Sequence, residues 1–156
     1  MTVFEAIKNQ SESDVEKVLE ANSDVINQPD ERGFTPLILA TYLGNREITA
    51  LLLKKGAEVN ATDASGNTAL MGVCFKGNTD LGKLLIENGA DVNIQNGNGA
   101  SALTFAATFG QADMVRLLVE HGADKTVRDD KGNTPFAQAQ MQGNREIMRI
   151  LENSTS

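Results

Sequence analysis

Residues 30–37 read Asp30-Glu31-Arg32-Gly33-Phe34-Thr35-Pro36-Leu37, and residues 51–60 read Leu51-Leu52-Leu53-Lys54-Lys55-Gly56-Ala57-Glu58-Val59-Asn60. The same grammar returns 33 residues later as Asp63-Ala64-Ser65-Gly66-Asn67-Thr68-Ala69-Leu70 and Gly89-Ala90-Asp91-Val92-Asn93, then again at Gly122-Ala123-Asp124. Three glycine columns keep that period: Gly33, Gly66, Gly99 and Gly132; Gly44, Gly77, Gly110 and Gly143; Gly56, Gly89 and Gly122. They absorb all but three of the 14 glycines, so the repeat organises the whole chain.

Each repeat spells a pair of helices. Thr35, Thr68, Ser101 and Thr134 supply a hydroxyl where a first helix starts, and Pro36 and Pro135 follow at its first position. Leu37, Leu70, Leu103 and Phe136, with Ala40, Val73, Ala106 and Ala139 three residues on, make one helical face. The glycines at 44, 77, 110 and 143 suit the left-handed position that ends a helix. A second helix opens at Asn45, Asn78 and Asn144, with Gln111 as the odd member. Its apolar stripe reads Ile48, Leu51, Leu52; Leu81, Leu84, Leu85; Met114, Leu117, Leu118; Ile147, Ile150, Leu151. One helix pair cannot cover its own apolar face, so neighbours must stack.

The motifs Asp30-x-x-Gly33-x-Thr35-Pro36-Leu37 and Gly56-Ala57-x-x-Asn60, agreeing in one register over nearly the whole chain, resemble the ankyrin-repeat family. The resemblance implies an all-α repeat solenoid of about five helix-turn-helix units joined by β-hairpin-like arms. The expected layout is one domain, 1–156: an N-terminal capping repeat at 1–29, full repeats at 30–62, 63–95 and 96–128, and a C-terminal capping repeat at 129–156. Counting back 33 places Phe4 under Leu37, Ile7 under Ala40, Ser11 under Gly44 and Val15 under Ile48. The polar Gln138, Gln140 and Gln142, with Glu152 in an apolar column, mark the other end as a cap, so a complete small array is expected. The family's histidine after Thr-Pro-Leu is replaced by Ile38, Met71, Thr104 and Ala137, so bonding between repeats must be made otherwise or those positions rely on packing.

Composition narrows the chemistry. Of 156 residues, 21 are Asp or Glu and 14 Lys or Arg, a net charge of −7, which argues against nucleic-acid and anionic-membrane partners. One Cys and one His build neither an internal disulfide nor a Cys/His zinc site. No apolar run is long enough to span a membrane and Met1-Thr2-Val3-Phe4-Glu5 opens no signal peptide, so a cytoplasmic, monomeric protein is expected. His121 reads as an exposed helix-end residue and Cys74 as a buried or half-buried inert thiol. Gly97-x-Gly99-x-x-Ala102 lacks the βαβ setting of a dinucleotide fingerprint, and Asp91-x-Asn93-x-Gln95 lacks the glycine and glutamate of a calcium loop. No catalytic residue, metal or cofactor is expected.

Function then resides in columns that do not repeat. The resemblance implies that arm tips and the ends of first helices line a concave groove that grips a protein or peptide. The tip residues proposed as partner-binding are Arg32, Phe34, Ser65, Asn67, Asn98, Lys131 and Asn133; those of the helix ends are Tyr42, Leu43, Phe75, Lys76, Thr108, Phe109 and Met141. Four of the seven aromatic rings fall among them; Tyr42 and Phe75 read as an interaction surface, while Phe34 and Phe109 suit that surface or a place folded back over the neighbouring repeat as core. The rival expectation is a small acidic inhibitor or protective accessory, of the immunity or stress-protein kind, of one specific enzyme.

Overall fold

A computed structural model describes residues 1–153; the last three residues of the C-terminal repeat, 154–156, lie outside them. The chain divides into two compact units, Met1–Ala69 and Leu70–Ser156.

The first unit holds α1 (Val3–Lys8), α2 (Glu12–Ala21), a 3-10 turn (Ser23–Asn27), α3 (Pro36–Tyr42) and α4 (Arg46–Lys54). Within it α1 packs on α3 and α2 on α4, first helix on first and second on second. Ile7, Val15, Leu37, Ala40, Ile48 and Leu52 are buried at that seam, each large side chain worth roughly 1.5–3 kcal/mol. The hydroxyl of Thr35 accepts from the Ile38 N–H at 3.2 Å and the Asn45 side chain from the Ile48 N–H at 2.9 Å, stabilising each helix start by about 1 kcal/mol.

The second unit holds α5 (Ala69–Lys76, its first residue closing the first unit), α6 (Thr79–Glu87), α7 (Ala102–Thr108), α8 (Ala112–Glu120), α9 (Pro135–Met141) and α10 (Arg145–Asn153). Here α7 packs on α9, α6 on α8 and α8 on α10. Leu81, Leu85, Leu103, Met114, Leu118 and Ile147 are fully buried, while Leu84 and Ile150, at the edges of the predicted stripe, are half-buried. The fold is all-helical, as the columns require.

The arms are tighter than hairpins. In all four tips a backbone N–H bonds back across the turn: Asp30 to the carbonyl of Phe34, Asp63 to Asn67, Asn96 to Ala100 and Asp129 to Asn133. The side-chain oxygen of that same Asp or Asn accepts two further N–H groups, for Asp30 those of Arg32 and Phe34 at 2.9 and 3.0 Å. A side chain thus closes the turn locally, and Thr62 with Thr68 forms an isolated antiparallel bridge rather than a strand.

All eleven column glycines have positive φ. The degenerate first repeat differs from the expected register at this point. Gln10, not Ser11, takes the left-handed place of Gly44, at φ 55°, and Ser11 caps α2 through the Asp14 N–H. The turn sits one residue early because α1 has 6 residues where α3 has 7, and α2 has 10 where α4 has 9.

The missing histidines are replaced by other ties between repeats. In the second unit Gln111, which makes no cap bond of its own, sends its carboxamide N–H to the Phe75 carbonyl at 3.0 Å, and Gln142 does the same to the Thr108 carbonyl. Asn93 accepts the Asp124 N–H at 2.7 Å and donates to the Gly122 carbonyl at 3.2 Å; Arg116 joins Asp113 and Glu146, both at 3.0 Å. In the first unit Asn27 accepts the Glu58 N–H at 2.9 Å.

Candidate functional site

Large apolar side chains exposed singly need no explanation, but exposed ones that group together mark a candidate interaction surface. Among the described residues the exposed large hydrophobics are Met1, Tyr42 (58%), Leu43 (41%), Phe75 (45%), Phe109 (47%) and Met141 (63%). Apart from Met1, all stand in two adjacent columns of the repeat, within the last two residues of a first helix or just after it. The physical reason is helical geometry. Leu37 and Ala40 turn one face of α3 into the core; Tyr42, two residues past Ala40, projects from the opposite side, and Leu43 lies just past the helix as its C-cap.

In the first unit Tyr42 and Leu43 border a hollow of about 440 Å³, with Phe34, Ile38 and Leu39 completing its apolar wall and Lys8 and Arg32 at its edge. Four predicted residues, Arg32, Phe34, Tyr42 and Leu43, therefore come together. Phe34 is half-buried, with the Arg32 guanidinium 4.9 Å above its ring. Arg32 also pairs with Asp30 at 3.3 Å. Burial at the tip works against ionisation of Asp30, but the N–H groups of Phe34 and Arg32 and the guanidinium prevail and hold its carboxyl below the usual range.

In the second unit Asn98, Thr108, Phe109 and Lys131 border a separate hollow of about 350 Å³, which Asp129, Asp130 and Gln138 make more polar. Phe75 and Phe109 meet edge to face, centroids 4.5 Å apart, and Phe109 lies parallel to Phe105 at 6.4 Å. Such contacts contribute about 0.5–1.5 kcal/mol beyond buried area and hold the rings in place while one side stays in solvent. At the neighbouring tip the N–H of Asn133 chiefly holds the Asp129 carboxyl below its usual range, against burial, with help from the Lys131 N–H and the Gln138 carboxamide. Ser65, Lys76 and Met141 are exposed, and Asn67 and Asn133 half-buried; none of these five borders either hollow.

Lys8, Ile38, Leu39 and Phe105 were not foreseen as lining residues. Lys8 had a signal that the 33-residue count hid. With the turn one residue early, Asn9 is the counterpart of Leu43 and Lys8 falls in the column of Tyr42, Phe75 and Met141.

The residues that carry chemistry elsewhere in proteins are placed otherwise. Cys74 is fully buried and burial pushes its thiol pKa up, away from the reactive thiolate. His121 ends α8, its Nδ1 2.8 Å from the Leu117 carbonyl. Among the described residues no cluster of three His, Cys, Asp or Glu could hold a metal ion, and no helix is long and apolar enough to cross a membrane.

Comparison with known proteins agrees with this geometry. A family model described as Ankyrin repeats (3 copies) matches residues 3–96 and again residues 70–155. No curated protein matches the chain. Ankyrin repeats are in general non-catalytic modules of protein–protein interaction. From the repeat columns, the stacked helix pairs and this match together, the chain belongs to the ankyrin-repeat family.

Proposed function

We propose that this protein is a non-catalytic interaction module that binds a protein or peptide, as a cytoplasmic monomer, through the first helices and arm tips of its units. The observation that carries the reading is the confinement of exposed large hydrophobics, Met1 apart, to the two columns ending the first helices. Rings and aliphatic chains left in water forfeit their burial energy unless a partner covers them. The polar tips beside them, with backbone N–H groups already satisfied by Asp or Asn, are rigid enough to bind without a large ordering cost. A lone buried thiol suits a reducing compartment.

The test compares variants made separately in the two units. Tyr42→Ser with Leu43→Ser alters the first, Phe75→Ser with Phe109→Ser the second, and Lys54→Ser with Lys83→Ser changes exposed second-helix positions as a control. Each is used to capture partners from a lysate of the expressing cells, with folding followed by circular dichroism. Anchors of this kind contribute about 2 kcal/mol or more each, so capture should fall sharply for at least one aromatic variant and persist in the control. Loss in the lysine variant with both aromatic variants unaffected would put the binding face on the second helices and defeat the reading.

A further inference from the structure

The first unit's hollow has a chemical character that the chain as a whole lacks. Its wall is apolar, from Phe34, Ile38, Leu39, Tyr42 and Leu43, and the only charged groups on its rim are the cations Lys8 and Arg32. In a chain of net charge −7 this reversal is local. Glu5 is the only acid on any first helix, whereas every second helix carries at least one. The volume of about 440 Å³ lies within the roughly 300–1,000 Å³ of binding clefts.

The two cations are differently prepared. Arg32 is fixed, its guanidinium braced by Asp30 at 3.3 Å and laid over the Phe34 ring, which leaves guanidinium N–H groups for a second carboxylate. Lys8, in the last turn of α1, makes no ion pair among the described residues. A basic or amide-rich segment would leave that rim repelled or unmatched. An apolar side chain with a carboxylate beside it satisfies wall and rim together.

We infer that the hollow of the first unit docks a partner segment in which a large apolar residue is flanked by Asp or Glu. The inference rests on the interaction-module reading above and adds the chemistry of what is bound. Lys8 and Arg32 select the acidic neighbour, and Tyr42 and Leu43 close over the apolar side chain.

A random peptide library displayed on phage, selected against the whole chain, tests it. Enriched peptides should pair Leu, Ile, Met or Phe with an adjacent acid. Synthesised singly, they should lose about tenfold or more in affinity to Lys8→Glu with Arg32→Gln, and similarly to Tyr42→Ser with Leu43→Ser. Lys54→Glu should bind like the parent, and affinity should fall with added salt. Circular dichroism establishes that each variant is folded; the altered side chains are exposed, so folding should survive. Enriched peptides that are basic or uncharged overturn the inference, as does binding that ignores Lys8 and Arg32 but is lost in Phe75→Ser with Phe109→Ser; that second result leaves the interaction-module reading standing. Self-association of the chain that depends on Lys8 and Arg32 makes a second copy the occupant and also overturns it. Peptides that bind equally to every first-helix variant and fail only on second-helix variants overturn both readings.

Discussion

Gln10 is the only described non-glycine residue with positive φ, at 55°, in the position that glycine holds in the other four repeats. For a residue with a Cβ that conformation costs roughly 1–2 kcal/mol, and the greater freedom of glycine in the unfolded chain returns about 0.5–1 kcal/mol of any gain. Gln10→Gly should therefore stabilise the protein by about 0.5–1 kcal/mol, whereas Gln10→Val, β-branched, should destabilise it. Urea unfolding of the three proteins checks the order; a valine variant as stable as the glycine variant would refute the strain. The sequence period alone put Ser11 in this place. The residue count of a repeat is visible in a sequence, but an exchange of one residue between α1 and α2 leaves that count unchanged. The same exchange concealed Lys8, the one cation of the first hollow that column reading did not reach.

Helix pairs were legible because their caps, glycines and apolar stripes are local signals, and, apart from the shifted α1–α2 turn, each helix was found where its columns put it. The ties between pairs were not, since a carboxamide reaching another helix leaves no spacing to read. Gln111 illustrates the difference. As an N-cap residue it is an anomaly among Asn45, Asn78 and Asn144; as a bond to the Phe75 carbonyl at 3.0 Å it holds α8 to the end of α5. Gly77, at φ +77°, leaves room for it, and a Cβ there would run into the Gln111 carboxamide. Gln111→Ala should cost about 0.5–1.5 kcal/mol, the net worth of such a bond. Gly77→Ala should cost at least about 1 kcal/mol from backbone strain alone, and more while Gln111 is present. The double variant should accordingly lose less than the sum of the two, by about 0.5 kcal/mol or more. Strict additivity in denaturant melts would mean that the two groups do not meet.

At the scale of the molecule two sets of columns differ, and the sequence displays them unequally. Repeated columns carry stability and recur, so they were readable; the exposed rings, to which recognition is assigned only by proposal, do not recur, so only their place was readable. Which of them meet, as Phe75 and Phe109 do, depends on side-chain directions that no column records. The stabilising columns make a sharper demand. Leu85 is completely buried in α6, while its neighbour Leu84 is half-buried, although both were read as one stripe. Leu85→Ala should cost roughly 2–5 kcal/mol and lower the melting temperature by roughly 4–20 °C; Leu84→Ala should cost clearly less. Because helix pairs in a repeat array are stable only against their neighbours, the damage should not stay in α6. Amide hydrogen exchange should quicken in α8, which packs on α6, as well as in α6 itself. Equal melting temperatures for the two alanine variants would contradict the burial difference. Faster exchange confined to α6 would mean that this pair folds independently of its neighbour, contrary to the way its apolar face is covered.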